Sequence, residues 1–91
     1  MGIARYQLLV SGRVQSVGYR VATRKQAQKL GLTGWIRNQL DGNVEIVVEG
    51  EIPALNQFVE WAWRGPRFAK VEQIEQTESI ASGEFGQFDI R

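Results

Sequence analysis

The spacing of apolar side chains most limits the folds open to this chain, because it switches between the two-residue period of a strand and the 3.6-residue period of a helix. The clearest stretch is Val44-Glu-Ile-Val-Val-Glu49, where Val44, Ile46 and Val48 point one way and Glu45, Val47 and Glu49 the other. This predicts a strand in a sheet with one solvated face. Tyr6–Gly12 alternates in part through Tyr6, Leu8 and Val10 and reads as an earlier strand that Gly12 ends. A loop over Arg13–Gly18 leads into a helix over about 20–30, with Tyr19, Thr23, Ala27 and Leu30 on one arc and Arg24, Lys25, Gln28 and Lys29 opposite. Gly31 suits the position just past that helix. Trp35–Asn38 reads as a short strand, and Asp41-Gly42 as a turn. Pro53 suits the first turn of a second helix reaching about Arg64. There Leu55, Phe58, Val59, Ala62 and Trp63 form a broad apolar arc, and Trp61 lies off its centre. Gly65-Pro66 stops it; Val71–Glu78 and Phe85–Ile90 read as a weaker strand and a short last one.

The order β-α-β-β-α-β with a short fifth strand fits an α+β, ferredoxin-like split-βαβ sandwich: an antiparallel sheet covered on one face by two helices. Two right-handed crossovers give the strand order 4-1-3-2. The first two strands then run the same way with the third between them, which brings the Arg13–Arg20 loop beside Asn38. No linker or repeat divides the chain, so residues 1–91 are read as a single domain. Glu45, Glu49, Glu72, Glu75 and Glu78 are expected to solvate the open sheet face and late strand. Trp35 and Trp63 read as packing residues, Trp61 as partly exposed.

The chain has no Cys and no His, which removes thiolate and imidazole catalysis, cysteine zinc clusters and iron–sulfur sites. The carboxylates show no clustered ligand spacing, so no metal or other cofactor is expected. The start lacks the apolar region of a secretory signal, and no run approaches about 18 apolar residues. A soluble, cytoplasmic protein without a membrane partner is expected. The net charge of +1 hides a division: residues 1–40 carry seven basic residues and no acid, while residues 41–91 carry four basic residues and all ten acids.

Gly12-Arg-Val-Gln-Ser-Val-Gly-Tyr-Arg20 leaves a strand and opens a helix, whose first N–H groups have no intrahelical partner. With the loop amides they can form an anion nest. Arg20 can fork two donors onto a phosphate or carboxylate. Read from the residues alone, Arg20 is equally well a surface residue and Gly18 a turn residue, and the stretch lacks the Gly-Lys-Ser/Thr ending of a Walker A loop. Asn38 can accept from water and donate to a substrate without titrating, or simply cap a turn. Together they suit hydrolysis of an already activated phosphate. They suit a stable phosphomonoester poorly, because no strong nucleophile is present.

Val10-Ser-Gly-Arg-Val-Gln-Ser-Val-Gly-Tyr-Arg20 resembles the phosphate-loop motif of the acylphosphatases. Gly34-Trp-Ile-Arg-Asn-Gln-Leu-Asp-Gly-Asn-Val44, followed by Gly50, resembles their second motif, and Gly65-Pro66 with Ala69 and Val71 fits the later pattern. The resemblance covers nearly the whole chain. It implies metal-independent hydrolysis of acyl phosphates to a carboxylate and inorganic phosphate. By position, Arg20 would hold the phosphoryl oxygens and Asn38 would orient the attacking water. The backbone amides of Gln15, Ser16, Val17, Gly18 and Tyr19 would complete the cradle. The partners implied are the acyl phosphate and inorganic phosphate, with a monomer expected and no nucleic acid. The competing reading is a noncatalytic phosphate-, phosphopeptide- or RNA-binding module of the same fold, although the strands offer no aromatic platform for bases.

Three positions depart from the family pattern. Ser16 stands where Gly is usual, Tyr19 where Phe is usual, and Ile36 where a smaller residue is usual. If the glycine has positive φ, Ser16 is strained by about 1 kcal/mol or more and activity is expected to be reduced but retained. If φ is negative there, Ser16 fits easily and its hydroxyl adds a donor. The Tyr19 hydroxyl needs a partner or water.

Overall fold

A computed structural model describes residues 2–91. In chain order the elements are β1 (Ile3–Arg13), α1 (Tyr19–Lys29), β2 (Thr33–Asn38), β3 (Val44–Glu51), α2 (Ile52–Arg64), β4 (Lys70–Ser79) and β5 (Phe88–Ile90). The strands form one sheet in the order β4-β1-β3-β2-β5. Pairings among β1 to β4 are antiparallel. β5 lies parallel to β2, so the fifth strand makes the sheet mixed. The expected 4-1-3-2 order is present, with β5 added at the β2 edge.

The period-2 pattern buries one face of the sheet. Leu8, Val10, Ile36, Val44, Ile46 and Val48 are fully buried there, under Tyr19, Thr23 and Ala27 of α1 and Leu55, Phe58 and Ala62 of α2. Each large aliphatic side chain removed from water contributes about 1.5–3 kcal/mol. The inner arc of α2 differs from the expected one. Leu55, Phe58 and Ala62 centre it, and α1 offers the Tyr19 ring on the Trp61 side, 6.0 Å from Trp61 between centroids. Trp61 is half-buried, in keeping with its expected partial exposure, whereas Trp63, expected to pack, is 46% exposed.

Gly12 does not end β1. The strand continues to Arg13 through an irregularity in register at Ser11/Gly12. Gly12 has φ 117°, and a Cβ there would collide with the Lys70 carbonyl, so the bend and the close approach both require glycine.

The face of β3 expected to be solvated is covered. To join the two sheet edges, the chain between β4 and β5 must pass β1, β3 and β2, and it crosses β3 at Glu49. The Glu49 carboxylate accepts from the backbone N–H groups of Ser82 (2.8 Å) and Gly83 (3.0 Å) and from Arg5 Nε (2.7 Å). Glu45 accepts from Gln7 Nε2 (2.7 Å), Arg37 Nε (2.9 Å) and Gln39 Nε2 (3.3 Å). Both glutamates are buried. Burial pushes both carboxyls up, but these donors outweigh it and hold both below the usual glutamate value. A depressed folded pKa stabilises the fold above the unfolded value, and that contribution is lost as pH falls through the folded pKa. Glu49→Gln is expected to lower stability by about 1–2 kcal/mol at pH 7, with the deficit shrinking below about pH 4.5. Denaturant unfolding at both pH values measures this.

Candidate active site

Because β1 and β2 run parallel with β3 between them, their C-terminal ends reach the same edge of the sheet. The loop after β1 and Asn38, the last residue of β2, are tied together there by Gln15. Its Nε2 donates to the carbonyls of Gln39 (2.9 Å) and Asn43 (2.8 Å) in the β2–β3 turn. The turn is itself held by Gln39 N–H to the Asn43 carbonyl (2.8 Å) and by the Asp41 carboxylate, which accepts from Asn43 N–H (3.0 Å).

Ser16 and Gly18 have φ of 63° and 78°, two left-handed residues with Val17 between them. Departures of this kind turn successive N–H groups towards a common centre. The first amide of α1 with a carbonyl partner is Ala22, which donates to Gly18 (3.1 Å). Upstream of it, the N–H groups of residues 15–21 donate to no backbone carbonyl among the described residues. Gly18 caps the helix without a side chain, and no acid stands in the first turn. Arg20 lies in that turn, half-buried and without an ion pair among the described residues. The positive end of the helix and the guanidinium thus share one place with a run of unpaired donors.

The Asn38 Oδ1 atom is buried and has no hydrogen-bond partner among the described residues. Leaving a buried acceptor unpaired costs about 1–3 kcal/mol, so such an atom asks for a ligand or a water. Asn38 also lines an open depression with Arg37, Gln39, Leu40 and Asp41; residues 15–20 are not part of that wall. The structure therefore brings Arg20, the loop amides and Asn38 to one sheet edge. Within the loop, Val17 packs against the core, Ser16 and Gly18 are exposed, and Tyr19 is buried.

Tyr19 Oη donates to the Ala62 carbonyl at 2.8 Å. That carbonyl belongs to the last turn of α2, where helix geometry leaves acceptors unpaired. Burial pushes the Tyr19 hydroxyl far above its ordinary pKa, so it stays a neutral donor. Its carbonyl accepts from Thr23 Oγ1 (2.7 Å). The start of α1 is thereby bolted to the end of α2.

The acylphosphatase family profile matches residues 6–90. The chain belongs to the acylphosphatase family. It is 50% identical to an acylphosphatase from Marinobacter nauticus over 97% of this chain and 96% of that protein. It is 47% identical to one from Rubrobacter xylanophilus, over 96% of this chain and 79% of the other. The crystal structure of an acylphosphatase from Bacillus subtilis superposes with a TM-score of 0.94 at 42% identity, covering 97% of this chain and 98% of that one.

Two features of this acylphosphatase had no sequence signal. The Gln15 side chain acts as a clamp, whereas only its backbone amide stood out. The Tyr19 hydroxyl needed a partner, but nothing in sequence pointed to Ala62. At Ser16 the positive-φ case is the one realised. Replacement Ser16→Gly removes the left-handed cost and adds chain entropy to the unfolded state, for a net gain of about 0.5–1 kcal/mol. It is expected to raise the denaturant midpoint. Tyr19→Phe is expected to lose about 1 kcal/mol in the same measurement, because the buried Ala62 carbonyl loses its donor.

Proposed function

We propose that this chain hydrolyses acyl phosphates at phosphorus without a metal. The observation that carries the reading is the unbroken run of amides 15–21 without carbonyl partners, beside an unpaired Arg20 and at the same sheet edge as the orphaned Asn38 Oδ1. The amides of Gln15, Ser16, Val17, Gly18 and Tyr19 take the phosphoryl oxygens, and Arg20 forks onto them. Asn38 Oδ1 accepts from the attacking water and orients its lone pair. The bond from water oxygen to phosphorus forms as the bridging P–O bond breaks, and the electron pair leaves on the carboxylate. A water proton passes to a phosphoryl oxygen of the substrate itself.

A carboxylate is a good leaving group, so the reaction needs neither a protein nucleophile nor a strong base. It needs charge stabilisation where negative charge builds on the phosphoryl oxygens, and preorganised donors supply that. Ser16 holds two flanking amides in the nest at the expense of backbone strain, which supports reduced rather than lost turnover.

Hydrolysis of acetyl phosphate with a chelator present tests the reading. Wild type is expected to retain full turnover. Asn38→Ala is expected to lower kcat by about a hundredfold or more with KM within about threefold, and Arg20→Gln to raise KM at least about tenfold while also lowering kcat. Folded wild type that binds inorganic phosphate but turns nothing over would mark a binding module instead.

A further inference from the structure

Asn38 decides more than where water sits. In-line displacement at phosphorus puts the leaving oxygen opposite the entering one. With water on the β2 side of the phosphate loop, the acyl half of the substrate lies on the other side. The strand order β4-β1-β3-β2 puts β4 there, across β1 from β3 and β2. The turn from α2 into β4 borders the loop directly. Arg13, the last residue of β1, is the cross-strand partner of Lys70, the first of β4. Gly65 approaches the Tyr19 ring so closely that an added Cβ would sit 3.0 Å from its edge. The phosphate loop is thus walled by the β2–β3 turn on one side and by the α2–β4 turn on the other.

The second wall presents positive charge. Arg13, Arg67 and Lys70 are exposed, and none forms an ion pair among the described residues. Like charges directly opposite across an antiparallel pair are destabilising, and Arg13 opposite Lys70 is such a pair. Glu72, two residues further along β4, is paired with neither. The Arg67 guanidinium lies 5.4 Å over the ring of Phe68, which is 70% exposed. Repulsion between Arg13 and Lys70 costs the strand ends stability and is unrelieved by any acid among the described residues. An anion held between the two strand ends would relieve it.

We infer that Arg13, Lys70 and Arg67 form a subsite for the acyl half, selecting acyl phosphates whose acyl chain carries a second anionic group. The inference rests on the proposed hydrolysis with water at Asn38. Because the three cations are exposed, their attraction is screened by salt over a Debye length of about 8–10 Å. The phosphoryl group in the nest instead meets backbone donors at short range.

The test compares kcat/KM for acetyl phosphate, benzoyl phosphate and monosuccinyl phosphate at low and high salt, in wild type, Lys70→Gln and Lys70→Glu. Each exposed charge contact contributes about 0.2–1 kcal/mol, so wild type is expected to favour the succinyl substrate about fivefold or more at low salt, through KM. High salt is expected to erase most of that preference. Lys70→Gln is expected to reduce it about two- to fivefold, and Lys70→Glu to bring it below unity. Lys70 is exposed, and a cooperative unfolding transition with a midpoint no lower than that of wild type establishes that the variants are folded. Wild type with no succinyl preference, or a preference that survives Lys70→Glu, overturns the subsite while leaving acetyl phosphate hydrolysis standing. A preference for benzoyl phosphate alone also overturns it and assigns the wall to Phe68. Absence of acetyl phosphate turnover by folded wild type overturns the hydrolysis reading itself.

Discussion

Two hydrogen bonds from one glutamine side chain join the halves of the site. Gln15 reaches the carbonyls of Gln39 and Asn43 at 2.9 and 2.8 Å, and so ties the loop leaving β1 to the turn leaving β2. The sheet makes that reach short. β3 lies antiparallel between β1 and β2, which turns both C-terminal ends to one edge only one strand apart. From this follow the positions of the free amides, of Arg20 in the first turn of α1, and of Asn38. On the far side, Tyr19 fixes the same loop to α2 through the Ala62 carbonyl. The loop is held from both sides by side chains that leave its own backbone donors unspent.

The local costs of the structure gather at this edge. Ser16 sits at φ 63°, the Asn38 Oδ1 atom is buried without a partner, and Arg13 faces Lys70. On the opposite face of the sheet the buried carboxylates are satisfied: Glu49 and Glu45 each collect several donors. Packing of the β1, β2 and β3 inner faces under two helices offsets those costs. A scaffold with strain and unpaired donors confined to one place is prepared for a ligand there.

Much of this was legible in the residues. The switch of period from Tyr6–Val10 to the Tyr19 arc and back to Val44–Val48 sets the element order, and handedness then forces the Arg13–Arg20 loop towards Asn38. The absence of acid before Asp41 marked the same edge as receptive to an anion. What stayed hidden depended on contacts distant in sequence. Glu45 and Glu49 alternate like solvent-facing residues, yet the chain between β4 and β5 folds back over Glu49, and no local pattern encodes that crossing. Trp63 lies outside the core because Leu55, Phe58 and Ala62 centre the buried arc of α2, which turns the Trp61 side towards the Tyr19 ring of α1. The backbone angle at Ser16 was a fork that side-chain chemistry alone could not decide.

The central claim is that the amides of residues 15–19, with Arg20, take a phosphate. Amide chemical shifts followed during titration with inorganic phosphate test it most directly. Saturable shifts concentrated at residues 15–21, together with the Arg20 side-chain N–H, are the expected result. Shifts that fail to saturate, or that centre on Arg24, Lys25 and Lys29 along the outer face of α1, would contradict it.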